Sequence, residues 1–130
     1  DFALAVVEDM QINIFSDGTP TRTFCYISDA IIGYLKALTY GKFKIFNIGI
    51  DEPEISIRDL AEIYTRKGRE IYSYSKEFKL SKPPEANYMT NNPNRRCPNI
   101  ELAKKELSYN PSILVEEGVE RFLKFLALGG

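Results

Sequence analysis

Histidine and tryptophan are absent from this 130-residue chain, and cysteine occurs only twice. Without histidine the chain lacks the commonest general base and zinc ligand, and a Ser-His-Asp or Cys-His device is excluded. Cys25 and Cys97 lie far apart in the sequence and form no CxxC motif. This favours two reduced thiols over a disulfide, and reduced thiols are typical of a cytoplasmic protein. We predict no metal site.

Long apolar runs are also missing, since none approaches the ~20 residues of a membrane span. No basic region precedes an apolar one at the start, so no signal peptide is indicated. A net charge of −1 provides no basic field for nucleic acid. We therefore expect no membrane or nucleic-acid partner, and any bound anion must be held by individual arginines.

The length and an apolar fraction of 44% suit one α/β domain over residues 1–130, with about four helices and short strands. The chain begins at Asp1, inside an apolar periodic segment, and we expect it to be a piece of a longer protein. In the first part of the chain, spacing and alternation predict a helix over 2–10, strands over 11–15, 21–27 and 44–48, and a helix from a Ser28 or Asp29 cap to Tyr40-Gly41.

The second part begins with a helix that starts at Ser56, where Asp59 completes a capping box, and that stops at Lys67-Gly68. A short strand is predicted over 70–75, followed by a long loop over 76–98 that is rich in proline and asparagine. Further helices are predicted from an Asn99 cap to Leu107, and around Glu116-Glu117 with an apolar stripe of Val119, Phe122, Leu123 and Leu126.

Arginines are the candidate ligand residues. Arg22 lies where the 21–27 strand begins, and Arg95-Arg96 lies on a loop stiffened by Pro93 and Pro98. A guanidinium matches phosphate oxygens, and two converging arginines would neutralise a nucleotide diphosphate. From composition alone, an arginine placed like Arg22 is more often a solvated surface residue than a ligand residue, and Arg95-Arg96 suits either role equally. Phe15 suits a base contact or the core equally.

One catalytic pattern occurs formally, because Tyr40 and Lys44 match Y-x-x-x-K. That device needs both side chains on one helical face, whereas Gly41 interrupts here and a strand is predicted to follow. We interpret the match as chance. The Gly-rich phosphate loops GxGxxG and GxxxxGK[ST] do not occur.

Two runs now identify a family resemblance. Residues 14–29, IFSDGTPTRTFCYISD, resemble the "vYGdGxqtRsFcYvsD" segment of extended short-chain dehydrogenase/reductase enzymes that act on nucleotide sugars. Residues 92–104, NPNRRCPNIELAK, resemble their "DPxxRxPDIxkAk" segment. Phe46-Asn47-Ile48-Gly49 is similar to a strand end of the family, and residues 57–63 are similar to its next helix.

The chain's end, Tyr109-Asn110-Pro111 with Glu116-Glu117-Gly118, is similar to the family's "LGwxPxxxleeGl". The nearest subgroups are UDP-glucuronate decarboxylases, then dTDP-glucose 4,6-dehydratases and 4-epimerases. The sequence departs from the family in four places, where Phe15 replaces tyrosine, Ser16 and Ser108 replace glycine, and Asn99 replaces aspartate.

The resemblance implies the C-terminal, substrate-binding portion of a Rossmann-type enzyme whose N-terminal domain is absent from this chain. The parent would be a cytoplasmic, NAD-dependent lyase or isomerase and a homodimer, acting on a UDP- or dTDP-sugar. By the resemblance, Arg22 and Arg96 contact the diphosphate, Phe15 lies beside the base, and Arg95 is a weaker candidate. Asp29 would cap its helix.

By the same resemblance, the fragment itself would contain no catalytic residue, would be inactive and would bind no cofactor. Because the family's C-terminal chain packs on the Rossmann domain, we also expect an exposed apolar surface on the 28–40 helix and on the strand that contains Phe46. An alternative stays open, in which the chain is a small α/β interaction module without a ligand.

Overall fold

The computed structural model describes residues 2–82 and 92–130, which form five helices and five short strands. The helices are α1 (Phe2–Val7), α2 (Ile27–Leu38), α3 (Ile57–Tyr72), α4 (Glu101–Leu107) and α5 (Val115–Ala127). The strands are β1 (Ile12–Ile14), β2 (Thr21–Arg22), β3 (Ile55–Ser56), β4 (Phe78–Leu80) and β5 (Arg95–Arg96). The α/β class is confirmed; the overall expectation was about four helices, and the five observed helices overlap the five segments in which the sequence predicts a helix.

The strands form two small sheets in the described part of the chain. β1 pairs with β4 in parallel, with Ile12 opposite Phe78. The other sheet has the order β3-β2-β5, in which β2 runs antiparallel to β3 and parallel to β5. This three-stranded sheet joins three segments that are distant in sequence, and it carries all three candidate arginines.

The larger apolar core lies between α1, β1, α3 and α5. Its buried residues include Val6, Ile12, Ile14, Ala61 and Leu123. Of the stripe predicted on the last helix, Val119 and Leu123 are buried in this core and Leu126 packs against it, whereas Phe122 is 40% exposed.

The predicted stop at Lys67-Gly68 is wrong, because α3 continues to Tyr72 and its cap, Ser73, adopts the left-handed conformation. Gly68 lies inside the helix because α1 approaches closely there. A Cβ at this position would lie 2.7 Å from Val6 Cγ1. The strand predicted over 70–75 is wrong for the same reason, and the strand forms later, as β4.

A smaller core joins α2 to α4. Ile100, Ala103, Leu107 and Tyr109 are buried, and Phe46 and Ile48 pack on them. The Lys36 ammonium donates to the carbonyls of Leu107 and Ser108, both at 3.1 Å, at the C-terminal end of α4. Such contacts satisfy carbonyls that have no partner inside the helix.

The strand predicted over 44–48 does not form a ladder with any described residue, although the alternation behind the prediction is real. Phe46 and Ile48 are half-buried, while Phe43 and Ile45 point outward and are 99% and 80% exposed. A hydrogen-bonding neighbour is what makes an alternating segment a strand, and the described residues provide none.

The predicted cap of α2 is also wrong. The strand ends at Arg22, the helix begins at Ile27, and its cap residue is Tyr26. Asp29 lies inside the first turn and is buried, with its Oδ2 accepting from the backbone N–H groups of Ser112 and Ile113 at 2.9 and 2.8 Å. Asp29 therefore fastens the segment between α4 and α5 to α2.

The remaining boundaries agree more closely with the sequence. The capping box is confirmed, because Asp59 N–H donates to Ser56 Oγ at 3.0 Å and Ser56 N–H donates to the Asp59 carboxylate at 2.9 Å. α4 ends at Leu107 as predicted, but its cap residue is Ile100 and not the predicted Asn99. Asn99 lies one residue earlier, and its Oδ1 accepts from Glu101 N–H at 3.0 Å. Of the loop predicted over 76–98, residues 83–91 lie outside the described part, and β4 and β5 flank them. Among described residues, no helix is long and apolar enough to span a membrane.

Candidate functional site

Arg22 and Arg96, predicted to converge, are neighbours in the three-stranded sheet. In the parallel ladder between β2 and β5, Thr21 is opposite Arg95 and Arg22 is opposite Arg96. Neighbouring strands lie about 4.8 Å apart, and side chains opposite each other project from the same face of a sheet. The fold thus brings two guanidinium groups to one face, although the two arginines are 74 positions apart in the sequence.

The opposite face of the same sheet carries a neutralised arginine. Arg95 donates from Nε and Nη2 to Glu54 Oε2 at 3.0 and 2.7 Å, and the Thr21 hydroxyl donates to the other oxygen of that carboxylate. These hydrogen bonds lower the pKa of Glu54 below its usual value, and the bond from Thr21 has the largest effect. Arg95 therefore faces away from Arg22 and Arg96 and already has an anionic partner.

The Arg22 guanidinium is held by three neutral oxygens. Nη1 donates to the Thr21 carbonyl at 2.7 Å, and Nη2 donates to Asn92 Oδ1 at 2.7 Å and to the Pro93 carbonyl at 2.6 Å. Among the described residues these partners carry no negative charge. Arg22 is therefore oriented while keeping its positive charge, and exposed Arg96 adds a second charge on the same face.

Phe15 and Arg22 line one cavity of about 290 Å³, together with Ser16, Pro20 and Asn92 among others. Phe15 also lines a neighbouring cavity of about 650 Å³ that extends to Leu80, Lys82 and Asn94. Phe15 is half-buried. An aromatic ring in a cleft next to an arginine is a suitable surface for a flat heterocycle.

The turn between Phe15 and β2 is fixed by its own side chains. Asp17 Oδ1 accepts from the Thr19 N–H at 2.9 Å and from the Thr19 hydroxyl at 2.7 Å, and these bonds lower the pKa of Asp17. Gly18 has φ +83°, which favours glycine, and its carbonyl accepts from Arg58 N–H at 3.1 Å. The turn thereby fixes the position of Phe15 relative to Arg22.

Tyr40 and Lys44 do not form the catalytic pair that Y-x-x-x-K would require. Both follow α2 rather than sharing one helical face, and both hydrogen-bond to the Glu106 carboxylate. The bond to Glu106 raises the pKa of Tyr40, the reverse of what a proton-donating tyrosine needs. These residues do not fit a nicotinamide-linked catalytic site, so we assign no hydride-transfer step to this chain.

Two residues of this site were not predicted from the sequence as participants. Glu54 lies in no element predicted from the sequence, and Asn92 belongs to the predicted 76–98 loop and to the segment 92–104 that resembles the family. Neither carries a local signal, because their roles depend on which strands become neighbours. The sequence does contain one clue to how the arginines are separated. Consecutive residues of a strand point to opposite faces, so Arg95 and Arg96 cannot lie on the same face.

Comparison with known proteins supports the resemblance found in the sequence. Residues 1–49 match the family described as "NAD dependent epimerase/dehydratase family". A UDP-glucuronate 4-epimerase of Thermodesulfobacterium geofontis is 32% identical over 116 residues, which are 89% of this chain and 33% of that protein. UDP-glucuronic acid decarboxylase 1 of Arabidopsis thaliana is 28% identical over 123 residues, which are 95% of this chain and 26% of that protein.

A solved structure shows the same fold. The UDP-glucuronic acid 4-epimerase of Bacillus cereus, in complex with UDP-glucuronic acid and NAD, superposes with a TM-score of 0.75 at 28% identity, covering 96% of this chain and 38% of that one. The chain is thus related in sequence and fold to the NAD-dependent epimerases and dehydratases of the extended short-chain dehydrogenase/reductase class. It spans about a quarter to a third of the length of these curated relatives.

Proposed function

We propose that this chain is the substrate-binding portion of an NAD-dependent nucleotide-sugar epimerase, dehydratase or decarboxylase. Its role is to hold the nucleotide diphosphate of a UDP- or dTDP-sugar between Arg22 and Arg96, with the base beside Phe15. The observation that carries this proposal is the register of β2 and β5, which places two arginines side by side.

Charge supports a diphosphate as the ligand of this face. Three arginines lie in the sheet, and one carboxylate, that of Glu54, directly precedes β3. Glu54 neutralises Arg95 on the face opposite to Arg22 and Arg96. Arg22 and Arg96 leave two positive charges, which match the two negative charges of a nucleotide-sugar diphosphate. Each charge-assisted hydrogen bond of this kind contributes ~1.5–3 kcal/mol.

The parent reaction is part of the same proposal. NAD bound in the missing portion would accept a hydride from C4 of the sugar and return it after epimerisation, dehydration or decarboxylation. The residues described here would bind and orient the nucleotide during these steps. In the same proposal the parent is a homodimer in the cytoplasm. The cytoplasmic location is supported by Cys25 and Cys97, which are free thiols.

A titration tests the nucleotide-binding proposal. Isotope-labelled protein is titrated with UDP and with dTDP, and we expect chemical-shift changes at Phe15, Arg22 and Arg96. Uridine, which lacks phosphates, should perturb Phe15 more than the arginines. Unchanged spectra with every nucleotide, in a protein carrying its complete natural sequence, would contradict the proposal.

A second function is favoured by a different surface. The α2 apolar face, formed by Ile31, Tyr34, Leu35 and Leu38, is exposed, as are Phe43 and Ile45. Such a face suits an interaction module that binds another protein surface and no nucleotide. Under this reading the titration is silent while Leu38→Glu abolishes association with the partner surface.

A further inference from the structure

Asn92 is the neutral hydrogen-bond partner of Arg22, and it lies at the start of the segment that leads into β5. Its side chain contacts the guanidinium at 2.7 Å, and both residues line the cavity that also contains Phe15. The contacting atom must be the amide oxygen, since a guanidinium only donates hydrogen bonds. The contact therefore constrains both side chains.

We propose that Asn92 is a positioning residue that orients Arg22 toward a diphosphate without cancelling its charge; this rests on the nucleotide-binding role proposed above. A guanidinium has five N–H groups. The described contacts to Thr21, Asn92 and Pro93 engage three of them and hold the plane of the group. The other two point along directions fixed by that plane.

The sheet contains its own comparison for this arrangement. On one face Arg95 is held by the carboxylate of Glu54, and the pair has no net charge. On the other face Arg22 is held by an amide and two carbonyls, and its charge is retained. An aspartate at position 92 would convert the second arrangement into the first and would halve the positive charge opposite a diphosphate.

The backbone at Asn92 is also favourable for this role. Pro93 restricts the conformation of the residue that precedes it to the extended region. The Pro93 carbonyl then accepts from Arg22 Nη2, and the Asn94 carbonyl accepts from Thr21 N–H at 2.8 Å. Residues 92–94 thus run beside β2, so that little ordering remains to be done when a ligand arrives.

The first test measures the contact itself. Nitrogen-15 spectra of the protein carrying its complete natural sequence report rotation of the Arg22 guanidinium. We expect restricted rotation in the wild type and in Asn92→Asp, which keeps an acceptor, and faster rotation in Asn92→Ala. Equal rotation in Asn92→Ala and the wild type would overturn the inference.

The second test measures the consequence for binding, with UDP-glucose as the charged probe and uridine as the neutral one. We expect Asn92→Asp to weaken UDP-glucose binding at least tenfold and to reduce its dependence on salt, because one positive charge is cancelled. Asn92→Ala should weaken binding about three- to tenfold with the salt dependence unchanged. Uridine should lose less affinity than UDP-glucose in both variants, because it has no diphosphate, and unchanged thermal unfolding of all three proteins shows that folding is intact.

The outcomes separate the two proposals. If the wild type binds UDP-glucose and Arg22→Ala weakens it while both Asn92 variants bind like the wild type, only the role of Asn92 is overturned. If the wild type binds neither UDP-glucose nor uridine, the nucleotide-binding function fails and the inference fails with it. Identical salt dependence in Asn92→Asp and the wild type would show that charge retention is not the reason for an amide at this position.

Discussion

Arg22 and Arg96 lie opposite each other in the parallel ladder of β2 and β5, and their side chains project from the same face of the sheet. Each strand is only two residues long. The pairing is nevertheless well determined, since Thr21 N–H donates to the Asn94 carbonyl at 2.8 Å and Thr23 N–H donates to the Arg96 carbonyl at 3.4 Å. A shift of one residue would replace Arg96 by Arg95 or by Cys97 as the residue opposite Arg22.

The first prediction concerns Arg96. We expect Arg96→Ala to weaken UDP-sugar binding by ~1.5–3 kcal/mol, roughly 10- to 150-fold, because a charge-assisted contact to the diphosphate is lost. The affinity of Arg96→Lys should lie between those of the wild type and Arg96→Ala, because lysine keeps the charge and loses the planar guanidinium. Titration calorimetry measures the effect. Lys124→Ala, which removes a cation at an exposed position of α5, serves as the control. If Arg96→Ala and Lys124→Ala bind the UDP-sugar with the same affinity within error, Arg96 does not belong to the site.

Asp29 provides a prediction about stability. Its buried carboxylate accepts two backbone N–H groups, from Ser112 and Ile113. Asp29→Ala leaves these donors without a partner, and we expect the free energy of unfolding to fall by about 1.5–3 kcal/mol in urea titrations. Glu62→Ala, at an exposed position of α3, should change stability little. Equal midpoints for the two variants would show that Asp29 does not hold the segment before α5.

Glu120 of α5 forms ion pairs with Lys124 of the same helix and with Lys67 of α3, and these pairs predict a pH dependence. Lys124 and Lys67 donate to Glu120 at 2.6 and 2.7 Å and lower its pKa to about 2. An unfolded glutamate titrates near pH 4.3. The stabilising contribution is therefore complete above that value and is lost as pH falls toward 2.

Glu120→Gln should accordingly be less stable than the wild type at pH 7, and the difference should shrink between about pH 5 and pH 2. Urea unfolding across this range provides the measurement, with exposed Glu62→Gln as the control. Lys67 has a raised pKa and stays protonated throughout this window, so it does not contribute to the change. A difference that stays constant down to pH 2 would contradict the assignment.

The α2 apolar face predicts self-association of the isolated chain. Leu38 is 81% exposed and Phe43 99% exposed. Covering such a surface is favourable by roughly 25 cal/mol for each Å² of apolar area. We expect concentration-dependent dimers in analytical ultracentrifugation and binding of a hydrophobic dye, both reduced by Leu38→Glu. Leu128→Glu, at a leucine of similar exposure beyond α5, should leave association unchanged, and a clean monomer without dye binding would refute the prediction.

Ser108 provides a test of a departure from the family pattern. It ends α4 in the left-handed conformation, with φ 50°, where the resembling sequences have glycine. Non-glycine residues are strained there by ~1–2 kcal/mol, and the greater freedom of unfolded glycine offsets part of this. Ser108→Gly should therefore raise the free energy of unfolding by about 0.5–1 kcal/mol in thermal or urea unfolding. Lys105→Gly inside α4 should lower it by about 1 kcal/mol, and the same sign for both would refute the argument.

Much of the fold follows from local sequence signals. The helical spacing of apolar residues identified all five helices, and Ser56 with Asp59 fixed the start of α3, because a capping box uses only atoms within one turn. Boundaries that depend on a distant neighbour were wrong. Gly68 resembles a helix stop in the sequence. A glycine is required there because Val6 of α1 approaches closely, and this contact between distant residues cannot be read from the sequence.

The residue types of the candidate site, three arginines and an aromatic ring after β1, are visible along the chain, and so is the family resemblance. Which of the arginines act together depends on how the strands pair. The β2–β5 register sets Arg96 beside Arg22 and turns Arg95 toward Glu54, and Asn92 holds Arg22 without neutralising it. The physical reason is that strand pairing and charge compensation are made between segments up to about 70 residues apart, so no local pattern can encode them.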